Sequence, residues 1–131
     1  MNKNKVVHFE IVAIDPQRAI EFYTKVFGWE FKKWEGGEMD YWMVLTVPQN
    51  TPGAINGGLR KEMETDIKER TKSVNAFVSI IAVESIDDIL KGIEENGGEI
   101  MQPKMKIEKM GWLAYCYDTE GNMIGIMEPD M

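Results

Sequence analysis

Apolar and polar positions along this chain follow one pattern that occurs twice. Residues 6–14 form a strand-like run, and a helical stripe of apolar residues, a glycine and further strand-like runs come after it. The same order begins again at residues 75–83. Subtracting 8 from 77 gives an offset of 69 between His8 of the first run and Phe77 of the second. The pattern predicts two copies of one β-α-β-β-β module.

The first copy carries a signal for each of its elements. Asp15 can cap a helix whose first turn accepts Pro16, and Gly28 can end that helix. Strands are expected at residues 29–34, 41–47 and 54–59. The last of these strands contains two adjacent glycines, which either weaken the strand or let another group approach its backbone closely.

The second copy repeats these signals. Ser85 can cap a helix, residues 96–98 can end it, and strands are expected at residues 99–102, 112–117 and 123–127. Pro103 is expected to interrupt the first of these strands. Trp112 follows Trp42 at an offset of 112 minus 42, or 70, so it repeats the aromatic residue of the first copy.

The fold class that follows is α+β. A single module would leave the apolar face of its half sheet exposed to water, so the two modules should pack around a shared cavity. We expect one domain over residues 1–131. Its parts are module one at about 5–60, a charged connector at about 61–72 and module two at about 73–130.

Composition narrows the class of protein. Of 131 residues, 44% are apolar and 28% are charged, which is typical of a globular domain. No apolar run approaches the ~20 residues of a membrane span, and no segment resembles a secretory signal. Cys116 is the one cysteine, which favours the cytoplasm. The net charge, 15 minus 22 or −7, argues against nucleic acid as a partner.

Three features resemble the vicinal oxygen chelate superfamily, which includes glyoxalase I, bleomycin-resistance proteins, fosfomycin-resistance proteins and extradiol dioxygenases. They are His8 with Asp15 seven residues later, the turn at residues 118–122, which is similar to the family's Asp-Pro-Asp-Gly-Asn turn, and the repeat itself. The resemblance implies two modules whose mixed sheets curl into an open, barrel-like cleft. It also implies a homodimer with its sites at or near the subunit boundary.

Enzymes of this superfamily usually hold a divalent metal in the cleft, on ligands from the first and last strands of each module. His8 fits the first-strand position of module one, whereas Phe77, at the same position of module two, cannot bind a metal. The last-strand position, three residues after Asn122, falls on Gly125, and its counterpart lies within residues 56–59, where glycines again stand. Since one ligand of four remains at the expected places, no cofactor is favoured.

Several residues are candidates for ligand contact. His8 and Glu10 are two apart in a strand and share a face, so they either bind a ligand, act as acid and base, or form a satisfied polar pair. Aromatic residues either line a pocket or fill the core and the dimer contact. Cys116 has no activating base nearby in the sequence and is expected to pack. The candidate ligand-binding set is His8, Glu10, Trp42, Phe77, Trp112 and Tyr115.

Two functions remain open at this point. The first is a metal-independent binding protein, in the manner of bleomycin-resistance proteins. It would be a cytoplasmic homodimer that holds a small organic molecule in an aromatic cleft. The second is a glyoxalase-like lyase or dioxygenase, with Zn, Ni, Mn or Fe bound to His8 and to carboxylates such as Glu10. Neither nucleic acid nor a membrane is expected as a partner.

Overall fold

A computed structural model describes residues 6–35, 40–62 and 77–130. The predicted connector lies outside the described residues from residue 63 onward. The first module comprises β1 (Phe9–Ala13), α1 (Pro16–Phe27), β2 (Glu30–Lys33), β3 (Tyr41–Leu45) and β4 (Gly57–Lys61). The second comprises β5 (Ser79–Ala82), α2 (Ile86–Glu95), β6 (Glu99–Ile107), β7 (Gly111–Tyr117) and β8 (Met123–Pro129).

Both modules have the same topology, so the predicted duplication and the α+β class are confirmed. The first sheet has the strand order β1-β4-β3-β2, and the second has the order β5-β8-β7-β6. In each sheet the first and last strands of the module pair in parallel, and the other neighbours are antiparallel. The two sheets do not close into a barrel within one chain, an arrangement compatible with the predicted curled sheet around an open cleft.

The helix caps fix the register of the repeat. Asp15 caps α1 and Ser85 caps α2, each accepting a hydrogen bond from a backbone N–H three residues later. Subtracting 15 from 85 gives 70, one more than the predicted offset of 69. The counterpart of His8 is therefore Val78. The prediction that Phe77 holds this position was wrong by one residue, and Phe77 lies before β5 with its side chain fully exposed.

The strand pairs show that the two tryptophans are not equivalent. Ile11, four residues before the first cap, pairs with Leu59, which pairs in turn with Trp42. In the second sheet, the residue four positions before the second cap pairs with a residue of β8, which pairs in turn with Ala114. Trp112 is therefore displaced by two residues from the position that matches Trp42. The cause is the unequal length of the connections between strands, which the local apolar pattern does not record.

Helix α1 joins the two modules, because it packs into both apolar cores. It contributes Ala19 to the first core and Phe22 and Tyr23 to the second. The other buried residues of the first core are Ala13, Trp42, Val44 and Leu59. Those of the second are Ile86, Leu90, Ile93, Ala114, Cys116, Ile124 and Ile126. Burial raises the pKa of the Cys116 thiol to about 11, which agrees with the packing role predicted for it.

The turn between β7 and β8 forms the polar part of this junction. Glu120 is 1% exposed and accepts hydrogen bonds from the backbone N–H of Asp15 at 2.8 Å and from Arg18 at 2.7 and 3.0 Å. Burial raises the pKa of Glu120, but the hydrogen bonds from Arg18, Asp15 and Thr119 outweigh burial and leave this pKa below its usual value. The charged form of Glu120 therefore stabilises the contact between the modules.

Asp118, in the same turn, reaches the other side of α1. Its carboxylate accepts a hydrogen bond from the Tyr23 hydroxyl at 2.7 Å, while Asn122 donates to the carbonyl of Val12 at 2.9 Å. Burial raises the pKa of Asp118, and the hydrogen bonds from Tyr23 and Asn122 offset part of that shift. Asp118, Glu120 and Asn122 of this turn each have a partner in the first module, so the turn fixes how the modules sit together.

Strand β6 continues through Pro103, where the sequence predicted an interruption. Its pairing with β7 shifts register between Ile100 and Gln102 and again between Gln102 and Met105. Pro103 lies within the second of these shifts, where no residue of β7 pairs with it, so this edge strand tolerates the missing N–H of proline. Neither helix in the described part of the chain has the length and apolar character that crossing a bilayer requires.

Replacing Glu120 with glutamine should lower the free energy of unfolding by about 2–4 kcal/mol near neutral pH, because Arg18 and the Asp15 amide lose a buried charged acceptor. A carboxyl whose folded-state pKa is lowered adds stability above its unfolded-state pKa and loses it as the pH falls through the lowered value. The difference in stability between wild type and Glu120→Gln should therefore shrink on acidification. Urea unfolding at a series of pH values measures it.

Glu95→Gln is the matched control. Its carboxylate is exposed and forms a 4.0 Å pair with Lys91 on the helix surface, so this substitution should cost no more than about 0.5 kcal/mol. Equal costs for the two variants would contradict the role assigned to Glu120.

Candidate functional site

The open face of the first sheet carries the polar residues of the candidate site. In β1, the side chains of Phe9, Ile11 and Ala13 pack with the helix-side core. Because successive side chains of a strand alternate, Glu10 points to the opposite, open side, and His8 precedes it by two residues. The structure thus places His8 and Glu10 on one face, as the sequence predicted.

Tyr41 of β3 connects this pair. Its hydroxyl lies 2.8 Å from Nε2 of His8 and donates to Oε2 of Glu10 at 3.3 Å. Burial, and next the neighbouring Glu10 carboxylate, raise the pKa of the Tyr41 hydroxyl, so it stays protonated and can donate. Arg60 of β4 completes the arrangement with a 2.7 Å bond from Nε to Oε1 of Glu10. We call His8, Tyr41, Glu10 and Arg60 the Tyr41 network.

Gly58 makes the position of Tyr41 possible. A Cβ atom built on Gly58 would overlap the Tyr41 hydroxyl and ring carbons, so any larger residue would displace the tyrosine. Gly58 pairs with Glu10 on one side and with Met43 on the other, next to the Tyr41–Arg60 pair. The absence of a side chain at this residue is therefore what lets Tyr41 reach both His8 and Glu10.

Gly125 occupies the equivalent place in the second sheet. It pairs with Ile80 and with Tyr115, as Gly58 pairs with Glu10 and Met43. A Cβ built on Gly125 would meet Ile80 at 2.9 Å and Tyr115 at 3.4 Å. Side chains from neighbouring strands thus fill the space above both glycines.

The donor set does not fit a metal held by three or four protein ligands. The repeat register and the strand pairs show which residues occupy the four expected ligand positions. They are His8, Val78, Gly58 and Gly125. Across residues 6–35, 40–62 and 77–130, no three His, Cys, Asp or Glu side chains lie close enough together to hold an ion. Nε2 of His8, a ring nitrogen that could bind a metal, contacts Tyr41 instead.

A groove of 580 Å³ lies beside the Tyr41 network, a volume within the range of small-molecule sites. Its walls come from the run before β1, from β3 and from the loop before β4. They include the apolar side chains of Val6, Val7, Met43, Leu45 and Ile55. His8 belongs to both the groove and the network, so a molecule in the groove would have apolar walls and one polar end.

The aromatic residues predicted to contact a ligand lie on different sides of the sheets. Trp42 is buried in the first core, and Trp112 packs against the second core with Lys104 and Lys106 over its ring at 4.7 and 5.5 Å. Both indoles are therefore on the helix side of their sheets, away from His8. Tyr115 packs over Gly125 on the open side.

The candidate ligand-binding set from the sequence did not include Tyr41 and Arg60. Both lie on the open side because they alternate with Trp42 and Leu59 of the first core. The signal that could have found Tyr41 is the pair of glycines in β4, which permits a close approach by another group. Their partner depends on the pairing of β3 with β4, which no local pattern states.

Comparison with known proteins agrees with the fold described above. The family model of the Glyoxalase/Bleomycin resistance protein/Dioxygenase superfamily matches residues 5–126. The chain belongs to this superfamily. A search of curated proteins found no match.

Solved structures with the same fold have low sequence identity to this member of the superfamily. A glyoxylase/bleomycin resistance protein/dioxygenase domain from Frankia sp. EAN1pec has 16% identity and a TM-score of 0.72, with 98% of this chain and 100% of that chain covered. The fosfomycin resistance protein FosX from Listeria monocytogenes has 14% identity and a TM-score of 0.71, with 99% of this chain and 97% of that chain covered. TioX from Micromonospora sp. ML1 has 17% identity and a TM-score of 0.67, with 97% of this chain and 100% of that chain covered.

Substituting Gly58 with alanine should lower the free energy of unfolding by about 1–3 kcal/mol, because the new methyl group forces Tyr41 away from His8 and Glu10. In a Tyr41→Ala background the same substitution should cost little, since the overlapping side chain is gone. Urea unfolding of the four proteins of this double-mutant cycle measures the coupling.

Gly92→Ala serves as the control, because a Cβ at this helical position meets nothing within 4 Å. It should raise stability by up to about 1 kcal/mol. An undiminished cost of Gly58→Ala in the Tyr41→Ala background would contradict the packing of Tyr41 over this glycine.

Proposed function

We propose that this chain is a metal-independent binding protein that holds a small organic molecule in the groove beside His8. The observation that carries the proposal is the position of Tyr41. Its hydroxyl fills the space over Gly58, bridges His8 and Glu10, and contacts Nε2 of His8, one of the two ring nitrogens that could bind a metal. A tyrosine so placed suits hydrogen bonding to an organic ligand better than coordination of an ion.

Apolar burial would supply most of the affinity. The groove walls are mainly aliphatic, with Met43 as an adaptable contributor, and the polar groups converge at the His8 end. Sites of this composition bind by removing apolar surface from water and orient the ligand through a few hydrogen bonds. Because Trp42 and Trp112 face the cores, the aromatic part of the cleft would come from Tyr41 and Tyr115.

A cytoplasmic homodimer is part of the same proposal. The open face of the second sheet carries apolar residues, among them Ile80, Leu113 and Tyr115, and Ile80 is half exposed. A second copy that brings this face over the Tyr41 network would remove it from water and enclose the groove. The superfamily's name includes bleomycin resistance proteins, and FosX is named for fosfomycin resistance, which supports small organic ligands as the class to test.

One observation favours a second candidate, a divalent-metal lyase or dioxygenase. Nε2 of His8 and Oε2 of Glu10 both approach the same point, the Tyr41 oxygen. An ion that displaced this hydroxyl would meet two protein ligands there. A FosX mutant that resembles this chain with 17% identity and a TM-score of 0.70, covering 99% of this chain and 94% of that one, was crystallised with Mn(II) and 1S,2S-dihydroxypropylphosphonic acid.

Elemental analysis of protein purified without chelator separates the two functions. We expect Zn, Ni, Mn and Fe each far below one equivalent per chain, with no change on His8→Ala. A near-stoichiometric metal that disappears in His8→Ala would overturn the binding-protein proposal and favour the lyase or dioxygenase.

A thermal-shift screen of aromatic and antibiotic compounds on chelator-treated protein tests the binding itself. A ligand at a hundred times its Kd should stabilise the fold by about 2.7 kcal/mol, and this stabilisation should grow with the logarithm of the ligand concentration. Ile55→Arg, which places a charge in the groove wall, should abolish the shift. Met110→Arg, at an exposed apolar residue outside the groove, should retain it. Loss of the shift in both variants would contradict the location of the site.

A further inference from the structure

The hydrogen bonds of the Tyr41 network determine which ring nitrogen of His8 carries a proton. A carboxylate oxygen accepts, so the contact between Tyr41 and Glu10 is a hydrogen bond only when the tyrosine donates its single proton there. The 2.8 Å contact with His8 is then a hydrogen bond only if Nε2–H donates to the tyrosine oxygen. In the neutral imidazole, this arrangement leaves Nδ1 as an acceptor.

Arg60 holds this direction in place. Its 2.7 Å bond occupies Oε1 of Glu10 and leaves Oε2 for Tyr41, and the Arg60 side chain is 14% exposed against 40% for Glu10. Two other charged residues on this face are Glu30 and Lys32 of β2. Strand β3, which carries Tyr41, lies between them and His8. Within the described residues, Nδ1 of His8 has no hydrogen-bond partner, and His8 lines the groove.

We propose, on the basis of the binding function above, that the ligand is an apolar molecule with a weakly acidic hydroxyl, of the phenol class, which donates a hydrogen bond to Nδ1 of His8. The groove walls receive the apolar body, and the free acceptor receives the hydroxyl. A neutral acid fits better than a carboxylate, because the chain has a net charge of −7 and Glu10 stands beside the acceptor.

Binding of para-chlorophenol and para-chloroanisole tests this inference. The two probes have similar bodies, but only the phenol has a proton to donate. Calorimetry should show the phenol binding about tenfold more tightly than the anisole.

Variants assign this preference to particular atoms. His8→Gln should remove it, so that the two probes bind this variant with equal affinity. Tyr41→Phe removes the acceptor of Nε2–H without changing the shape of the ring. It should reduce the preference several-fold, since Nδ1 is then no longer fixed as the acceptor. Glu95→Gln, on the surface of α2, should retain the full preference.

Equal binding of both probes, unchanged in His8→Gln, would overturn the inference and leave the binding function intact. If neither probe binds up to its solubility limit, the phenol class is rejected, whereas the binding function is judged by the ligand screen with Ile55→Arg. A tenfold preference that survives His8→Gln would also overturn the role of Nδ1.

Discussion

Two carboxylates buried in the turn between β7 and β8 hold the modules of this protein in one arrangement. Burying charge is costly unless each oxygen has a partner, and here three of the partners come from the first module: Arg18, the Asp15 amide and Tyr23. The same helix that receives these bonds packs its apolar side chains into both cores. The open faces of the two sheets therefore keep a defined geometry, and the candidate site is built on one of them.

The open face of the first sheet shows how the absence of a side chain can create a site. Gly58 removes a side chain at a place where enzymes of the superfamily usually carry a metal ligand, and Tyr41 occupies the space. Tyr41 then orders His8 and Glu10 through its hydroxyl, with Arg60 fixing the far end. A coordination site and a hydrogen-bonding site thus differ by few residues on one scaffold, which is why membership of the superfamily does not decide between them.

Much of the fold could be predicted from the sequence, because its signals are local. Asp15, Ser85 and Gly28 mark helix ends through hydrogen bonds within a few residues, and the order of elements follows from apolar periodicity. The site depends on pairing between distant strands. The offset from His8 to Phe77 was wrong by one residue, which exchanges the faces of a strand.

For a related reason, the sequence left open whether an aromatic residue lines a pocket or fills the core. Composition and spacing show that an aromatic residue is present, but the face it occupies depends on which partner strand it meets. Trp42 and Tyr41 are adjacent in sequence and lie on opposite sides of β3, one in the core and the other in the Tyr41 network. Charge and composition, in contrast, carried no information about either position.

The passage of β6 through Pro103 has a consequence for self-association. A straight edge strand offers a row of free amide and carbonyl groups to which another chain can add, and this is a common start of aggregation. Here the proline removes one donor, two register shifts bend the row, and Lys104 and Lys106 place charge along it. This border of the second sheet is thereby poorly suited to extension by a strand of another chain.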